Sequence, residues 1–251
     1  MSDESIAPAL KIAPWPEVDF AEFGAVEIKP LTKIQRLVGL YLSRNWVMIP
    51  HVTHNDHADI TALESWRSEY ADRTGRKITP LAFLVKAAVA GLKAYPHFNA
   101  SLDGTGSNLV LKRYFHVGVA VDTPLGLVVP VIRDVDQKSV ADIATEIIEV
   151  TQLARTKGLP MKRMTGGCFT ISSLGSIGGS SFTPIINAPE VAIMGATRSF
   201  EQPYRLDGNL AWRTVLPLSL SYDHRVINGA DAARFCRTFA EALNDPDALS
   251  A

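Results

Sequence analysis

The apolar residues between Thr79 and Ala154 change period twice, and that alternation restricts the chain to an α/β fold. Thr79 as N-cap and Pro80 at the first helical position open an apolar run to Tyr95. The period then drops to two, with Phe115, Val117, Val119 and Val121 alternating, and turns are expected at Asp103-Gly104 and Thr123-Pro124-Leu125-Gly126. It returns to the helical value after Ser139, which forms a capping box with Asp142 for a helix through Ile143, Ile147, Val150 and Ala154, ended by Gly158. Helices interleaved with strands bury their apolar sides by layering on a sheet, so a sheet with helices packed on it is expected.

The flanking segments extend this pattern. Thr32 can cap a helix with Ile34, Leu37, Val38 and Tyr41 facing inward, and a strand is expected over 47–54. Asp59 opens a second helix with Ile60, Leu63, Trp66 and Tyr70 inward, and Gly75 lies just past its end. Short strands are expected over 168–172, 191–197 and 214–222. A closing helix from about Gly229 buries Ala232, Cys236, Phe239, Ala240 and Leu243. From Ser2 to about Gly24 the chain carries Pro8, Pro14 and Pro16 with no periodicity, which predicts an arm over 1–24 ahead of one domain over 25–251.

Composition removes several function classes. Lys plus Arg is 25 against 26 for Asp plus Glu, a net charge of -1, which leaves no electrostatic footprint for nucleic acid. Apolar residues reach 47% and charged ones only 20%, a balance that points to more buried surface than one subunit provides, through self-association. The sequence has no apolar run long enough for a membrane span, and the acids near Met1 do not fit a secretory signal, so a cytoplasmic protein is expected. Cys168 and Cys236 are too few for a disulfide framework and lack zinc-site spacing.

Two segments can carry chemistry. In Ser221-Tyr222-Asp223-His224-Arg225-Val226-Ile227-Asn228-Gly229 an apolar strand ends in a polar cluster just before a helix. His224 there is either a proton-transfer group or a histidine satisfied by neighbouring backbone, and Asn228 is an N-cap candidate with or without chemistry beside it. The second segment, 166–182, runs from a strand into a Gly/Ser loop that is either a cradle for an oxyanion or cofactor, or a solvent loop. It matches neither the phosphate-loop nor the dinucleotide pattern, and it has no Gly-x-Ser-x-Gly elbow. His51, His54 and His57 sit beside Asp56, but alternation along a strand keeps three such ligands from converging, so no metal is expected. Core packing is expected for Cys168 and Cys236, against a reading of either as nucleophile.

Taken together these segments resemble a known family. His224-Arg225-Val226-Ile227-Asn228-Gly229 is similar to the His-x-x-x-Asp-Gly signature of the chloramphenicol acetyltransferase-like acyltransferases. Asp223-His224-Arg225, the stretch 167–179, Phe182-Thr183-Pro184-Ile185-Ile186-Asn187-Ala188-Pro189-Glu190-Val191-Ala192-Ile193 and Gly118-Val119-Ala120-Val121-Asp122-Thr123-Pro124 resemble the catalytic domain of the dihydrolipoyl acyltransferases. These are the E2 cores of 2-oxo acid dehydrogenase complexes, and the resemblance covers about 25–251. Segments 168–173 and 225–235 are most similar to the pyruvate (acetyl) branch, which acts downstream of glycolysis.

The resemblance implies a chloramphenicol acetyltransferase-like two-layer sandwich with a mixed sheet and flanking helices. It implies acyl transfer between dihydrolipoamide and coenzyme A by direct thioester exchange, without an acyl-enzyme. His224 would be the base and Ser172 the oxyanion donor; the phosphates of coenzyme A need donors, and Ser180, Ser181 and Phe182 at the end of the glycine loop are the expected contact for it. The histidine and serine would come from different chains of a homotrimer, and trimers would assemble into a cubic or larger core. The Asp-Lys-Ala lipoyl turn is absent, since Lys86 in Val85-Lys86-Ala87 lies within the expected third helix. The lipoyl group is therefore expected on a domain outside this chain, as are the contacts with the E1 and E3 components, and the arm is read as a linker remnant. Asn228 stands where the motif usually has Asp, and an amide cannot stabilise an imidazolium by charge, so its expected role is loop and transition-state geometry. The competing readings are a succinyl or branched-chain acyltransferase, an O-acetyltransferase, a mainly structural scaffold and covalent cysteine catalysis. The presence of both His224 and Ser172 favours enzyme and scaffold together.

Overall fold

A computed structural model describes residues 13–124 and 126–250. The first half of the expected arm and Leu125 of the second expected turn lie outside the described residues. In chain order the elements are α1 (Lys33–Met48), β1 (His51–Asp59), α2 (Thr61–Thr74), α3 (Pro80–Ala94), β2 (Ala100–Leu102) and β3 (Leu109–Leu111). There follow β4 (Val117–Val119), β5 (Val121–Thr123), β6 (Gly126–Val128), β7 (Val131–Ile132) and α4 (Val140–Thr156). The chain closes with β8 (Phe169–Ser173), β9 (Ala192–Ala196), β10 (Phe200–Leu206), β11 (Asn209–Asp223), α5 (Gly229–Leu243) and α6 (Pro246–Ser250).

The main sheet has the order β1-β11-β9-β8-β4-β7, with β10 hydrogen-bonded to β11 as well. β8 runs parallel to β4 and β9, and β11 runs antiparallel to β9, so the sheet is mixed as expected. β2 with β3 and β5 with β6 form separate two-stranded ribbons. Successive residues of a strand face opposite sides, and here the two sides differ in chemistry. Ile171, Met194 and Leu220 stand in register on the side that joins the main core, against Phe83, Leu92, Phe235 and Phe239 of α3 and α5. One step along, Ser172, Gly195, Ser219 and Asn55 are in register on the opposite side. The segment that leads from β8 to β9 covers that side: the Phe182 ring lies over Gly195, and Ile186 packs on Ile49 and Ile193.

Several ends form as the sequence predicts. Thr32 and Gln35 make the reciprocal capping box of α1, Ser139 accepts from the Asp142 amide, and Gly75 closes α2 in the left-handed region. Two expectations are corrected. Positions 47 and 48 belong to the last turn of α1, and the strand starts only at His51, because the α1 hydrogen-bond ladder continues to the Ile49 amide on Asn45. The α1 face expected to be inward is exposed at Ile34, Leu37 and Tyr41, and Asn45 is its buried residue, donating to the Ile186 carbonyl. Periodicity marks a face that needs a cover, and among the described residues that face has none. β10 and α6 had no expectation in the sequence; Pro203 and the exposed Glu201, Arg205 and Leu206 mask the period of β10.

Gly91 on α3 faces Phe235 on α5, where a Cβ would stand 2.7 Å from the ring. The ring is itself stacked on Phe98 at 4.2 Å and tilted against Phe169 at 5.6 Å, so it has little room to yield. Gly91→Ala is expected to lower stability by about 1–3 kcal/mol through overpacking, more than the roughly 1 kcal/mol that alanine gains in helix propensity. A lower urea midpoint checks this, and an unchanged or higher midpoint would contradict the packing described.

Candidate functional site

His224 occupies the turn directly after β11, with an exposed side chain beside the Tyr222 ring at 5.8 Å. Its backbone is fixed from both directions. The His224 amide donates to the Pro50 carbonyl at 3.1 Å, and the Asp223 amide to Val191 at 2.8 Å. Asp223, only 2% exposed, accepts from the Arg225 guanidinium through Nε at 2.9 Å and Nη2 at 2.6 Å, and from the Arg225 amide at 3.0 Å. This charge-assisted fork raises the Arg225 pKa above its ordinary value and clamps the peptide on both sides of His224. The imidazole is thus presented to solvent from a rigid support.

Asn228 is the N-cap of α5. Its Oδ1 accepts from the Asp231 amide at 3.0 Å and its Nδ2 donates to Asp231 Oδ2 at 2.7 Å. Asp231 is in turn braced by Arg234 at 3.0 Å. Both polar atoms of the Asn228 amide are therefore committed to holding the start of the helix that follows the histidine turn.

Ser172 lies at the other end of the sheet. It is half-buried near the C-terminal end of β8 and opens onto a cavity of about 1030 Å³ lined also by Leu84, Asp122, Ile147, Ser173 and Thr197. β8 and β11 run in opposite directions, so their C-terminal ends point to opposite edges of the sheet. Ser172 is level with Ser219, two strands away, and His224 lies five residues further along β11. At roughly 3.4 Å per residue and 4.8 Å per strand the two side chains are about 20 Å apart. One chain brings His224, Asn228 and the Asp223–Arg225 clamp together; it does not bring Ser172 to them.

Ser180 and Ser181 are exposed on the covering segment, and the Phe182 amide donates to Ser219 Oγ at 3.5 Å. None of the three lines the Ser172 cavity. Phe182 shares the sheet side of Ser172 through Gly195, whose missing side chain admits the ring. His51, read as part of an unconvincing ligand trio, turns out to be structural: Nδ1 donates to the Ile49 carbonyl at 2.8 Å and Nε2 accepts from Ile186 at 3.0 Å. His54 faces the side opposite to His51 and His57. Both cysteines are buried, and burial pushes their thiols up, Cys236 to about 12, which disfavours the thiolate a nucleophile needs.

Glu190 carried no signal of its own in the sequence. It is 4% exposed, accepts from Thr170 Oγ1 at 2.6 Å and fills the space left by Gly167, where a Cβ would stand 2.6 Å from its Oε1. Burial raises its carboxyl pKa to about 7 and outweighs the attraction of Lys112, which burial likewise pushes down towards the neutral amine. A carboxyl whose folded pKa is raised stabilises the fold below its unfolded value near 4.5 and loses that contribution as pH rises through about 7. Glu190→Gln should therefore gain stability on the parent between pH 4.5 and 8, by up to about 3 kcal/mol, in urea unfolding. A difference that stays constant with pH would contradict it.

Comparison with known proteins places this geometry. Residues 23–251 match the family described as 2-oxoacid dehydrogenases acyltransferase (catalytic domain). The chain is 53% identical to the dihydrolipoyllysine-residue acetyltransferase component of the pyruvate dehydrogenase complex of Cupriavidus necator, over 98% of this chain and 46% of that protein. For the Haemophilus influenzae protein of the same description the identity is 49%, over 94% of this chain and 42% of that protein. The chain thus spans less than half the length of these curated relatives. Among solved structures, the Azotobacter vinelandii dihydrolipoamide acetyltransferase superposes with a TM-score of 0.90 at 50% identity, covering 95% of this chain and 99% of that one. That enzyme was investigated for the role of a serine, a histidine and an asparagine in its catalytic mechanism, spaced as Ser172, His224 and Asn228 are here. The cubic core of a pyruvate dehydrogenase multienzyme complex gives the same TM-score, identity and coverages. A chloramphenicol acetyltransferase, 13% identical with a TM-score of 0.57 over 80% of this chain and 94% of that one, shares the fold.

Proposed function

Because this chain belongs to the 2-oxoacid dehydrogenase acyltransferase family through its catalytic domain, we propose that it transfers an acetyl group between dihydrolipoamide and coenzyme A and builds the oligomeric core of a pyruvate dehydrogenase complex. The observation that carries this reading is the pairing of an exposed, rigidly backed His224 with a cavity-lining Ser172 at opposite edges of one sheet. A ring of copies that sets the His224 edge of one against the Ser172 edge of the next completes the site, and a homotrimer is the smallest ring that this reading takes. The uncovered apolar face of α1 supplies surface for such contacts.

In the proposed reaction His224 takes the proton from the attacking thiol, and the resulting thiolate adds to the thioester carbonyl. Ser172 of the neighbouring copy donates its hydroxyl hydrogen to the oxyanion. The tetrahedral intermediate then collapses, the carbon–sulfur bond to the leaving thiolate breaks, and His224 returns the proton to that sulfur. Base assistance is worth about 10²- to 10⁴-fold and one oxyanion donor about 10²- to 10³-fold. Asn228 serves by fixing the α5 start behind the histidine turn and with it the loop and transition-state geometry, a task for which charge is dispensable. Ser180, Ser181 and Phe182 are proposed to contact coenzyme A from the covering segment. The lipoyl group arrives on a domain outside this chain, and the E1 and E3 components dock on domains outside it as well. Trimers packed into a cubic core, in cytoplasm, complete the proposal. The 53% and 49% identities with acetyltransferase components favour acetyl over succinyl or branched acyl groups.

The test is acetyl transfer from acetyl-CoA to free dihydrolipoamide, with particle size measured in parallel. The parent should be active as a trimer or larger, and His224→Ala and Ser172→Ala, both folded, should each lose about 100-fold or more. A stable monomer, or a parent active only with succinyl-CoA or a branched acyl-CoA, would overturn the corresponding part. A parent inactive with every acyl-CoA leaves the scaffold reading.

A further inference from the structure

Thr197 follows the last residue of β9, is 2% exposed, and its hydroxyl has no hydrogen-bond partner among the described residues. Buried hydroxyls are nearly always paired, because leaving one unpaired forfeits its hydration with no return. The Thr197 amide donates to the Pro217 carbonyl at 3.3 Å. A Cβ at Gly175 would stand 3.4 Å from its carbonyl oxygen, and one at Gly179 would stand 3.7 Å from its methyl carbon. The glycine loop is thus folded down on Thr197, which is held in place with one unmet donor.

Thr197 also lines the cavity into which Ser172 opens. Gly195 is the register partner of Ser172, so Thr197, two residues on, is its diagonal neighbour, with side chains roughly 6–8 Å apart. An extended ligand that reaches the Ser172 hydroxyl therefore shares its cavity with Thr197. The walls nearby are mixed, with Leu84, Val119 and Ile147 apolar and Asp122 polar. That pattern suits an alkyl arm interrupted by a secondary amide, which needs a polar partner wherever it leaves water.

We propose that Thr197 is a substrate-binding residue whose hydroxyl pairs with the secondary amide of the thiol-bearing arm that enters the Ser172 cavity. The proposal rests on the acyltransferase reading and deepens it, since the pantetheine arm of coenzyme A and a lipoyl-lysine arm both carry such an amide, and free dihydrolipoamide keeps the amide carbonyl that the hydroxyl can donate to. Ser172 serves the reacting carbonyl, and Thr197 sets how far the arm advances.

Steady-state kinetics of the full chain, with coenzyme A and dihydrolipoamide varied separately, test this in the parent, Thr197→Val and Thr197→Ser. Valine exchanges the hydroxyl for a methyl of similar size and keeps the contact with Gly179. The KM for one thiol substrate should rise about 3- to 10-fold in Thr197→Val, the loss of one neutral hydrogen bond, with kcat within about twofold. Thr197→Ser should keep the parental KM, and Thr197→Val should melt at or above the parental temperature, because it removes an unpaired buried hydroxyl. A rise confined to dihydrolipoamide assigns the cavity to the lipoyl arm, and one confined to coenzyme A assigns it to pantetheine. Both KM values unchanged in Thr197→Val, or a fall in kcat with a lower melting temperature and no KM change, would overturn the proposal. A parent without acyl transfer defeats the acyltransferase reading separately. Calorimetric titration of coenzyme A and of lipoamide then decides the Thr197 contact, and equal affinity in parent and Thr197→Val, or no binding by the parent, counts against it.

Discussion

Strand direction governs what this molecule can do alone. β8 runs with β9 and against β11, so whatever the two strands present at their C-terminal ends is carried to opposite edges of the sheet. Hydrogen-bond register makes that separation rigid: moving β8 by one residue would turn Ile171 out of the core, and moving β11 by one would turn out Leu220. The roughly 20 Å between His224 and Ser172 is therefore a property of the fold, beyond the reach of side-chain rotation. Each of the two segments is well built where it stands. The histidine turn has its Asp223–Arg225 clamp and the Pro50 carbonyl, and the serine has a cavity with Thr197 under the glycine loop.

The same incompleteness shows in the packing. The main core is continuous from α2 to α6, yet the chain leaves Trp15 at 90% and Ile28 at 89% exposure, with Phe20, Phe23, Leu40 and Trp46 uncovered beside them. From residue 15 to the end of α1, large apolar side chains thus meet water among charged ones. Exposed patches of this kind mark contact sites, and this one is attached to the body through Asn45 and the Ile49–Ile186–Ile193 cluster. That cluster also supports Pro50, whose carbonyl holds the His224 amide. The exposed apolar side chains of this segment and the turn that carries the imidazole are thereby mechanically joined.

Much of this was legible in the sequence, for reasons that can be named. Thr32, Ser139 and Gly75 act through local hydrogen bonds and the Thr79-Pro80 pair through backbone preference, so they mark helix ends wherever they occur. The alternation through Val117, Val119 and Val121 survives because those residues face the core. What failed is non-local. The α1 face reads as buried because periodicity reports a need for cover without naming the partner. β10 is hidden because neither of its sides is buried. In the site, His224, Asn228 and the glycine loop stand out by residue type, whereas the work of Asp223, Glu190 and Thr197 depends on burial and, for the last two, on neighbours such as Thr170 and Pro217, 20 residues away along the chain, and single residues do not announce either. His51 shows the converse: a residue suited to metal chemistry is spent on two backbone groups.

If each site is made by two copies, a defect in the histidine of one and in the serine of the other must be separable by mixing. The direct measurement is acetyl transfer by assemblies re-formed from equal amounts of unfolded His224→Ala and Ser172→Ala chains. Random mixing in a closed ring leaves roughly a quarter of the sites with both groups intact, so activity should recover to about a quarter of the parent, far above either variant alone. A mixture no more active than the average of the two variants would contradict a site shared between copies.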